Sequence, residues 1–328
     1  MSVVTVSVLP ELSPDQVASV TALCHRAAQA DGTEPLSEHV RLHLRQGGDR
    51  GDRPDGGDRH LIAVAGDGIV GYAHLDPTDL VAGPAAEVVV DPERRGRGVG
   101  RTLVEAVIAA SPDGRLRLWA HGLHPAARRL AASLGFVEER RLEQWRRSLT
   151  EPLPPVSLPH GVRLRSFVPG VDDEAWLELN ARAFADHPEQ GGWTVRDLHV
   201  RLAESWFDRE GFLIAEQEGE TGPNPGRAGG NLLGRRMIGF HWTKVHGSPA
   251  GHAHEPIGEV YVVGVDPDHQ GRRLGRELTL AGLHRLAETG LEQAMLYVEA
   301  DNAPAKAVYH ALGFAHHDTD VMYERRHD

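Results

Sequence analysis

Apolar positions along this chain change period in the same order twice. In the first half, helix-like 3.6-residue periodicity over about 14–29 gives way to two short apolar runs at 60–65 and 69–75, which predict strands. A third run, Val88-Val89-Val90, stops at Asp91-Pro92 and a Gly/Arg loop, and an apolar-periodic helix then extends to about Ala110. A strand at 115–120, a helix at 125–133 and a final strand complete that half. The second half predicts a helix at 172–186 and strands at 211–217 and 236–243. The run Val262-Val263-Gly264-Val265 then leads to Asp266-Pro267, a Gly/Arg loop and a helix to about Ala287. A strand at 293–299, a helix at 303–311 and a last strand close it. Strands alternating with helices late in each half predict an α/β fold with a mixed (α+β) sheet.

Two landmarks support a tandem duplication. Asp91-Pro92 matches Asp266-Pro267 at an offset of 175, and Ser133-Leu134-Gly135-Phe136 matches Ala311-Leu312-Gly313-Phe314 at an offset of 178. Pro152, Pro154, Pro155 and Pro159 make 151–161 unsuited to a helix or a central strand, so it reads as an extended linker. The expected domains are therefore 1–150 and 162–328. Arg45–His60 and Glu218–Asn231 interrupt the pattern and read as surface loops.

Composition narrows the function. The 328 residues are 40% apolar and 25% charged, a globular balance. Thirty-five basic against 47 acidic residues give a net charge of −12, a poor match to nucleic acid or an anionic membrane. The single cysteine, Cys24, excludes an internal disulfide framework and a multi-cysteine zinc site. His252, His254 and Glu255, and the pair His316-His317, do not match a compact zinc spacing, so no metal is expected. No apolar run approaches the roughly 18 residues that span a bilayer. Met1–Gln16 lacks a basic region leading into an apolar core, so a cytoplasmic setting is expected. A monomer is the default.

The loop Gly96-Arg97-Gly98-Val99-Gly100-Arg101 follows a strand and opens a helix. Glycines let backbone amides crowd together, and a helix N-terminus adds unpaired N–H groups and partial positive charge, an arrangement suited to a pyrophosphate. The plain alternative is a tight turn. A dinucleotide-binding loop would follow the first strand of a domain, and a Walker A loop would need Gly-Lys-Ser/Thr; neither condition is met. Arg95-x-x-Gly98-x-Gly100 after a strand ending in Val-Asp-Pro resembles the acetyl-CoA pyrophosphate loop of the GNAT superfamily of N-acetyltransferases. Asp301-Asn302-x-x-Ala305-x-x-x-Tyr309-x-x-Leu312-Gly313-Phe314 is similar to that superfamily's other signature. The resemblance spans both halves and implies two tandem GNAT folds. More narrowly, His187–Thr194, Gly239–His246, Gly258–Val265, Leu296–Glu299 and Trp119–Gly122 resemble the mycothiol synthases. Those actinobacterial enzymes acetylate the cysteine amine of cysteinyl-glucosaminyl-inositol from acetyl-CoA. An arginine-biased composition, with only Lys244 and Lys306 as lysines, is compatible with such a host.

The resemblance assigns roles. Glu259 becomes the general base, direct or through water, against the alternative of a surface glutamate at a strand end. Tyr309 becomes the donor to the leaving thiolate, against a core aromatic. Val263, Gly264 and Val265 would pair with pantetheine, with Gly264 allowing a local bulge. Gln270-Gly271-Arg272-Arg273-Leu274-Gly275-Arg276 would bind the pyrophosphate, with Asn302, Ala305 and Lys306 beside the cofactor. Arg273 stands where the motif wants glycine, so the turn is expected to shift or Arg273 to face solvent. Glu38, Glu189, Lys244 and Tyr297, with Glu259, match acceptor-binding positions; Glu38 alone comes from the first half and implies a pocket spanning both domains.

Counting back from Asp-Pro pairs Glu259 with Pro84, and the 178 offset pairs Tyr309 with Ala131 and Asn302 with His124. The first half therefore lacks base, acid and asparagine. Val88, Val89, Val90 and the loop from Gly96 to Arg101 leave it able to bind acetyl-CoA, or to have done so once, without catalysing transfer. Glu87 is an alternative base without an acid partner. Two rival readings stay open: a GNAT for an aminoglycoside, polyamine or protein N-terminus, and a non-catalytic acetyl-CoA-binding module.

Overall fold

The computed structural model describes residues 4–46, 59–66, 68–77, 83–111, 115–218, 235–246 and 256–325, without the side chains of 39, 42, 45, 46, 188 and 189. Most of the two expected surface loops, and His252, His254 and Glu255, lie outside the described residues. The first half runs β1 (Thr5–Leu9), α1 (Pro14–Asp31), α2 (Glu38–Gln46), β2 (Arg59–Ala65), β3 (Gly68–Asp76), β4 (Ala85–Val90), α3 (Val99–Ala110), β5 (Leu116–Ala120), α4 (Pro125–Ser133) and β6 (Phe136–Ser148). The second runs β7 (Val162–Ser166), α5 (Asp173–Ala183), α6 (Pro188–Gly191), α7 (Val195–Leu202), β8 (Phe212–Glu218), β9 (Arg235–His246), β10 (Ile257–Val265), α8 (Leu274–Glu288), β11 (Gln293–Glu299), α9 (Ala303–Ala311) and β12 (Ala315–Arg325). Among the described residues no helix is long and apolar enough to cross a membrane.

Two compact units result. Unit 1 is Met1–Glu143 with Asp318–Asp328, and unit 2 is Gln144–His317. Each unit thus takes strand residues from the far end of the other half: β12 pairs antiparallel with β5 in unit 1, while Trp145 and Leu149 join the core of unit 2. The period-2 pattern predicts strands there but says nothing about which partner they take.

In unit 1, β1-β2-β3-β4 is antiparallel and β4-β5 parallel. In unit 2, β7-β8-β9-β10 is antiparallel and β10-β11 parallel. One long helix packs tightly on each sheet, and a glycine permits it. A Cβ on Gly71 of β3 would stand 2.7 Å from Leu103 of α3, and one on Gly239 of β9 would stand 2.8 Å from Leu278 of α8. Leu103 and Leu278 are fully buried, and burying a leucine is worth about 1.5–3 kcal/mol. The opposite faces differ. In unit 1, Val20, Leu23, Leu36 and Tyr72 form a mostly aliphatic layer. In unit 2, Trp176, Phe212, Phe240 and Trp242 form an aromatic one, with Phe212 and Trp242 stacked at 4.2 Å between centroids.

The sequence reading leaves out the five-residue strands β1 and β7 and the helices α2, α6 and α7, although Val6 and Val8 in β1, and Val162 and Leu164 in β7, alternate with polar residues. α7 is fixed locally by a reciprocal cap, in which Thr194 Oγ1 accepts from the Asp197 N–H and Asp197 accepts from the Thr194 N–H.

Candidate active site

The site begins where a parallel pair of strands parts. β10 and β11 pair only through Gly258–Ala294, Glu259–Met295 and Val260–Leu296. The register of β10 with β9 slips between Val260 and Val262, which makes Tyr261 the bulged residue. An extra residue bends and twists a strand, so β10 departs from β11 at that point. The bulge expected at Gly264 is not there. Gly264 pairs in register with Phe240, and a Cβ on it would stand 2.6 Å from the Phe240 ring. Its glycine answers a close approach. Beyond the bulge, Val263, Gly264 and Val265 pair with β9 on one side and are out of register with β11 on the other.

The bulge also corrects the alignment of the halves. In unit 1 the parallel pair is Ala85–Arg117, Ala86–Leu118 and Glu87–Trp119. Aligned through β5 and β11 at the 178 offset, Glu259 corresponds to Ala85, one residue on from Pro84. Neither residue carries a carboxylate.

The loops after the two strands agree atom by atom. Asp91 and Asp266 each cap a 3-10 turn, accepting from Glu93 and Asp268 N–H at 3.0 Å. Arg26 of α1 donates to Asp91 at 2.7 Å, and Arg182 of α5 to Asp266 at 2.5 Å. Arg95 Nε donates to the Val90 carbonyl at 3.1 Å, and Gln270 Nε2 to the Val265 carbonyl at 3.4 Å. That contact explains why the motif opens with arginine or glutamine: either side chain reaches back to the carbonyl at the strand end. Gly96 and Gly271 have φ of +71° and +74°. At the residue before the helix, Gly98 has φ +90° and Arg273 +65°. Arg273 is the one non-glycine with positive φ among the described residues. The turn has not shifted; Arg273 is exposed and holds the left-handed conformation its motif glycine would have held. Nothing lies within 4 Å of a Cβ placed on Gly271, so the space above the loop is open. Open space over unpaired helix-terminal N–H groups fits a pyrophosphate.

Asn302 caps α9, its Oδ1 accepting from Ala305 N–H at 3.1 Å, and Lys306 donates to the Ala300 carbonyl at 3.0 Å. In unit 1, His124 also caps its helix, α4, but Nδ1 accepts from the N–H two residues on, Ala126, at 3.3 Å.

Glu259 is buried, and one carboxylate oxygen lies 2.5 Å from His246 Nε2 at the end of β9. Lys244 sits directly across from Glu259 on β9. It is buried as well, with Nζ 4.9 Å from the Trp206 ring centre and 5.1 Å from that of Tyr261. Aromatic faces attract a partly desolvated ammonium by about 2 kcal/mol. Tyr297, on β11, is 38% exposed, and its hydroxyl accepts from Gln144 Nε2 at 2.8 Å. Tyr309 is buried against Phe314, and its hydroxyl makes no hydrogen bond among the described residues. Burial pushes its phenol up to about 12, so it keeps its proton at neutral pH. Glu38 opens α2 in unit 1, half-buried. Glu189 lies in α6, and its side chain is outside the described residues.

Unit 1 keeps a carboxylate near its own parting point. Glu87 is buried, accepts from Ser37 N–H at 2.6 Å, and lies 3.3 Å from His121 Nε2. His121 Nδ1 is 3.0 Å from Asp320, which also accepts from Gly122 N–H. Burial works against both charges, but the hydrogen bonds and mutual attraction outweigh it. Glu87 falls to about 2 and His121 rises to about 10.

Sequence reasoning missed His246, Gln144, Trp206 and Tyr261. For His246 a signal existed: it lies two residues past Lys244 on one strand, so the period of two puts both side chains on one face.

The chain matches the acetyltransferase (GNAT) family over residues 174–314 and a GNAT acetyltransferase domain over 56–138. It is 53% identical to a mycothiol acetyltransferase of Acidothermus cellulolyticus, covering 96% of this chain and 92% of that one. It is 51% identical to one of Streptosporangium roseum, covering 96% and 97%. Among solved structures, the tandem GNAT protein from the clavulanic acid biosynthesis pathway superposes with a TM-score of 0.68 at 20% identity, covering 98% of both chains. The chain belongs to the GNAT acetyltransferases, in the family of the mycothiol acetyltransferases.

Proposed function

We propose that this protein transfers the acetyl group of acetyl-CoA to the cysteine amine of cysteinyl-glucosaminyl-inositol, the last step of mycothiol biosynthesis, and that unit 2 does the chemistry. The observation that carries the assignment is an asymmetry. Unit 2 has a buried carboxylate at Glu259 and a buried phenol at Tyr309 that makes no hydrogen bond among the described residues, where unit 1 has Ala85 and Ala131.

Amide formation from a thioester makes a C–N bond and breaks a C–S bond. The attacking amine loses a proton to Glu259, and the departing sulfur gains one from Tyr309. Val263, Gly264 and Val265 offer strand-edge backbone to the pantetheine arm, and the open N-terminus of α8 offers N–H groups to the pyrophosphate. Lys244 and Tyr297 supply a fixed donor and a hydroxyl suited to a polyhydroxylated acceptor. A buried ammonium opposite the base disfavours a polyamine or aminoglycoside, because like charges repel strongly where water is scarce. Unit 1 is assigned acetyl-CoA binding without transfer.

The test is release of CoA by the purified protein with cysteinyl-glucosaminyl-inositol, beside aminoglycoside and polyamine panels. Acceleration with the first acceptor alone is expected. No acceleration with it, or a preference for a polycation, overturns the assignment.

A further inference from the structure

The base assigned to Glu259 has one side-chain partner among the described residues, and it is His246. His246 ends β9 two residues beyond Lys244, the residue opposite Glu259, so it approaches the carboxylate diagonally on the same sheet face. The side chains differ in access to water: Glu259 is 8% exposed and His246 26%. A carboxylate that is buried and pinned through one oxygen presents the other in a fixed direction. We infer that His246 is a positioning residue for the acetyl transfer: its Nε2–H holds one oxygen of Glu259 and turns the other toward the acceptor amine.

The inference rests on the proposed role of Glu259 and deepens it. The residues directly opposite Glu259 on the flanking strands are Lys244 on β9 and Met295 on β11.

Three variants of the full chain separate orientation from mere packing: His246→Gln, His246→Leu and Glu259→Gln. Glutamine keeps an N–H donor near the Nε2 position and cannot become a cation; leucine keeps bulk alone. Thermal melting and acetyl-CoA titration establish that each variant folds. His246→Gln is expected to turn over within about threefold of the parent, and His246→Leu about tenfold or more slower in kcat, with the KM for acetyl-CoA unchanged in both. The inference is overturned if His246→Leu matches the parent in rate, or if His246→Gln and His246→Leu lose rate equally, since the retained donor then makes no difference. If Glu259→Gln itself keeps its turnover, the assignment of the base fails instead.

Discussion

Where β4 parts from β5, unit 1 carries Glu87; where β10 parts from β11, unit 2 carries Glu259. Both carboxylates are buried and both touch a histidine, yet their surroundings differ. Glu87 meets a His121 clamped from its other nitrogen by Asp320, and accepts a backbone N–H as well. The result is a saturated ion held near pKa 2, too weak a base to take a proton from an amine. Glu259 has one partner through one oxygen and keeps the other. Both units keep the slot and the loop; the number of hydrogen bonds on the carboxylate separates the structural ion of unit 1 from the base proposed in unit 2.

The sharpest way to break this comparison is to neutralise each carboxylate in turn. Glu259→Gln is expected to cut kcat by about a thousandfold with the fold intact. Glu87→Gln is expected to do the reverse. It leaves His121 a buried cation short of one partner, costing about 3–5 kcal/mol of stability while turnover per folded molecule stays near the parent's. Steady-state rates and urea unfolding of both variants decide it; equal kinetic losses would erase the distinction between the slots.

Next in size is the proposed acid. Tyr309→Phe removes a hydroxyl that bonds nothing among the described residues, so stability should hold or rise slightly, whereas kcat should fall about a hundredfold. A phenylalanine variant with parental kcat would reduce Tyr309 to a core aromatic, like its small counterpart Ala131.

The ion cluster of unit 1 also sets a pH window. His121 is raised from 6.5 to about 10, so its contribution to stability is full below 6.5 and is lost as pH rises through about 10. Glu87 is lowered from 4.5 to about 2, so its contribution is full above 4.5 and is lost as pH falls through about 2. Unfolding midpoints should therefore peak between about pH 4.5 and 6.5 and decline on the alkaline side. His121→Gln should flatten that decline, with Asp320→Asn as a second variant. An unchanged alkaline slope in both would remove the cluster from the account.

What the sequence reveals about these slots follows from the range of the interactions involved. The helices at 125–133 and 303–311 are read to the residue because their signals are local: Pro125 and Pro304 in the first turns, and a Leu-Gly turn after each. The Gly/Arg loops are legible for the same reason, since a left-handed residue must be bought with glycine or endured. The bulge at Tyr261 was not legible. No residue type demands it, and it follows from two registers, β10 against β9 and β10 against β11, that only the folded sheet displays. His121 with Asp320 lies beyond reach of any pattern, because 199 residues separate the two and the pairing depends on β12 joining unit 1.

The smallest expected effect tests the one place where the loops differ in residue type while sharing geometry. Gly98 and Arg273 occupy the same left-handed position before their helices. For a side-chain-bearing residue that conformation costs roughly 1–2 kcal/mol, and glycine avoids the cost while losing somewhat more entropy on folding, about 0.5–1 kcal/mol. Arg273→Gly should therefore stabilise unit 2 by about 0.5–1 kcal/mol, and Gly98→Arg should destabilise unit 1 by a similar amount. Urea unfolding measures both. If Arg273→Gly is instead destabilising, the arginine side chain holds the loop through a contact stronger than the strain, and the loops are alike in backbone but not in what stabilises them. Calorimetric titration of acetyl-CoA into the two variants extends the comparison from folding to binding: two sites are expected in the parent, and Gly98→Arg should weaken the one in unit 1.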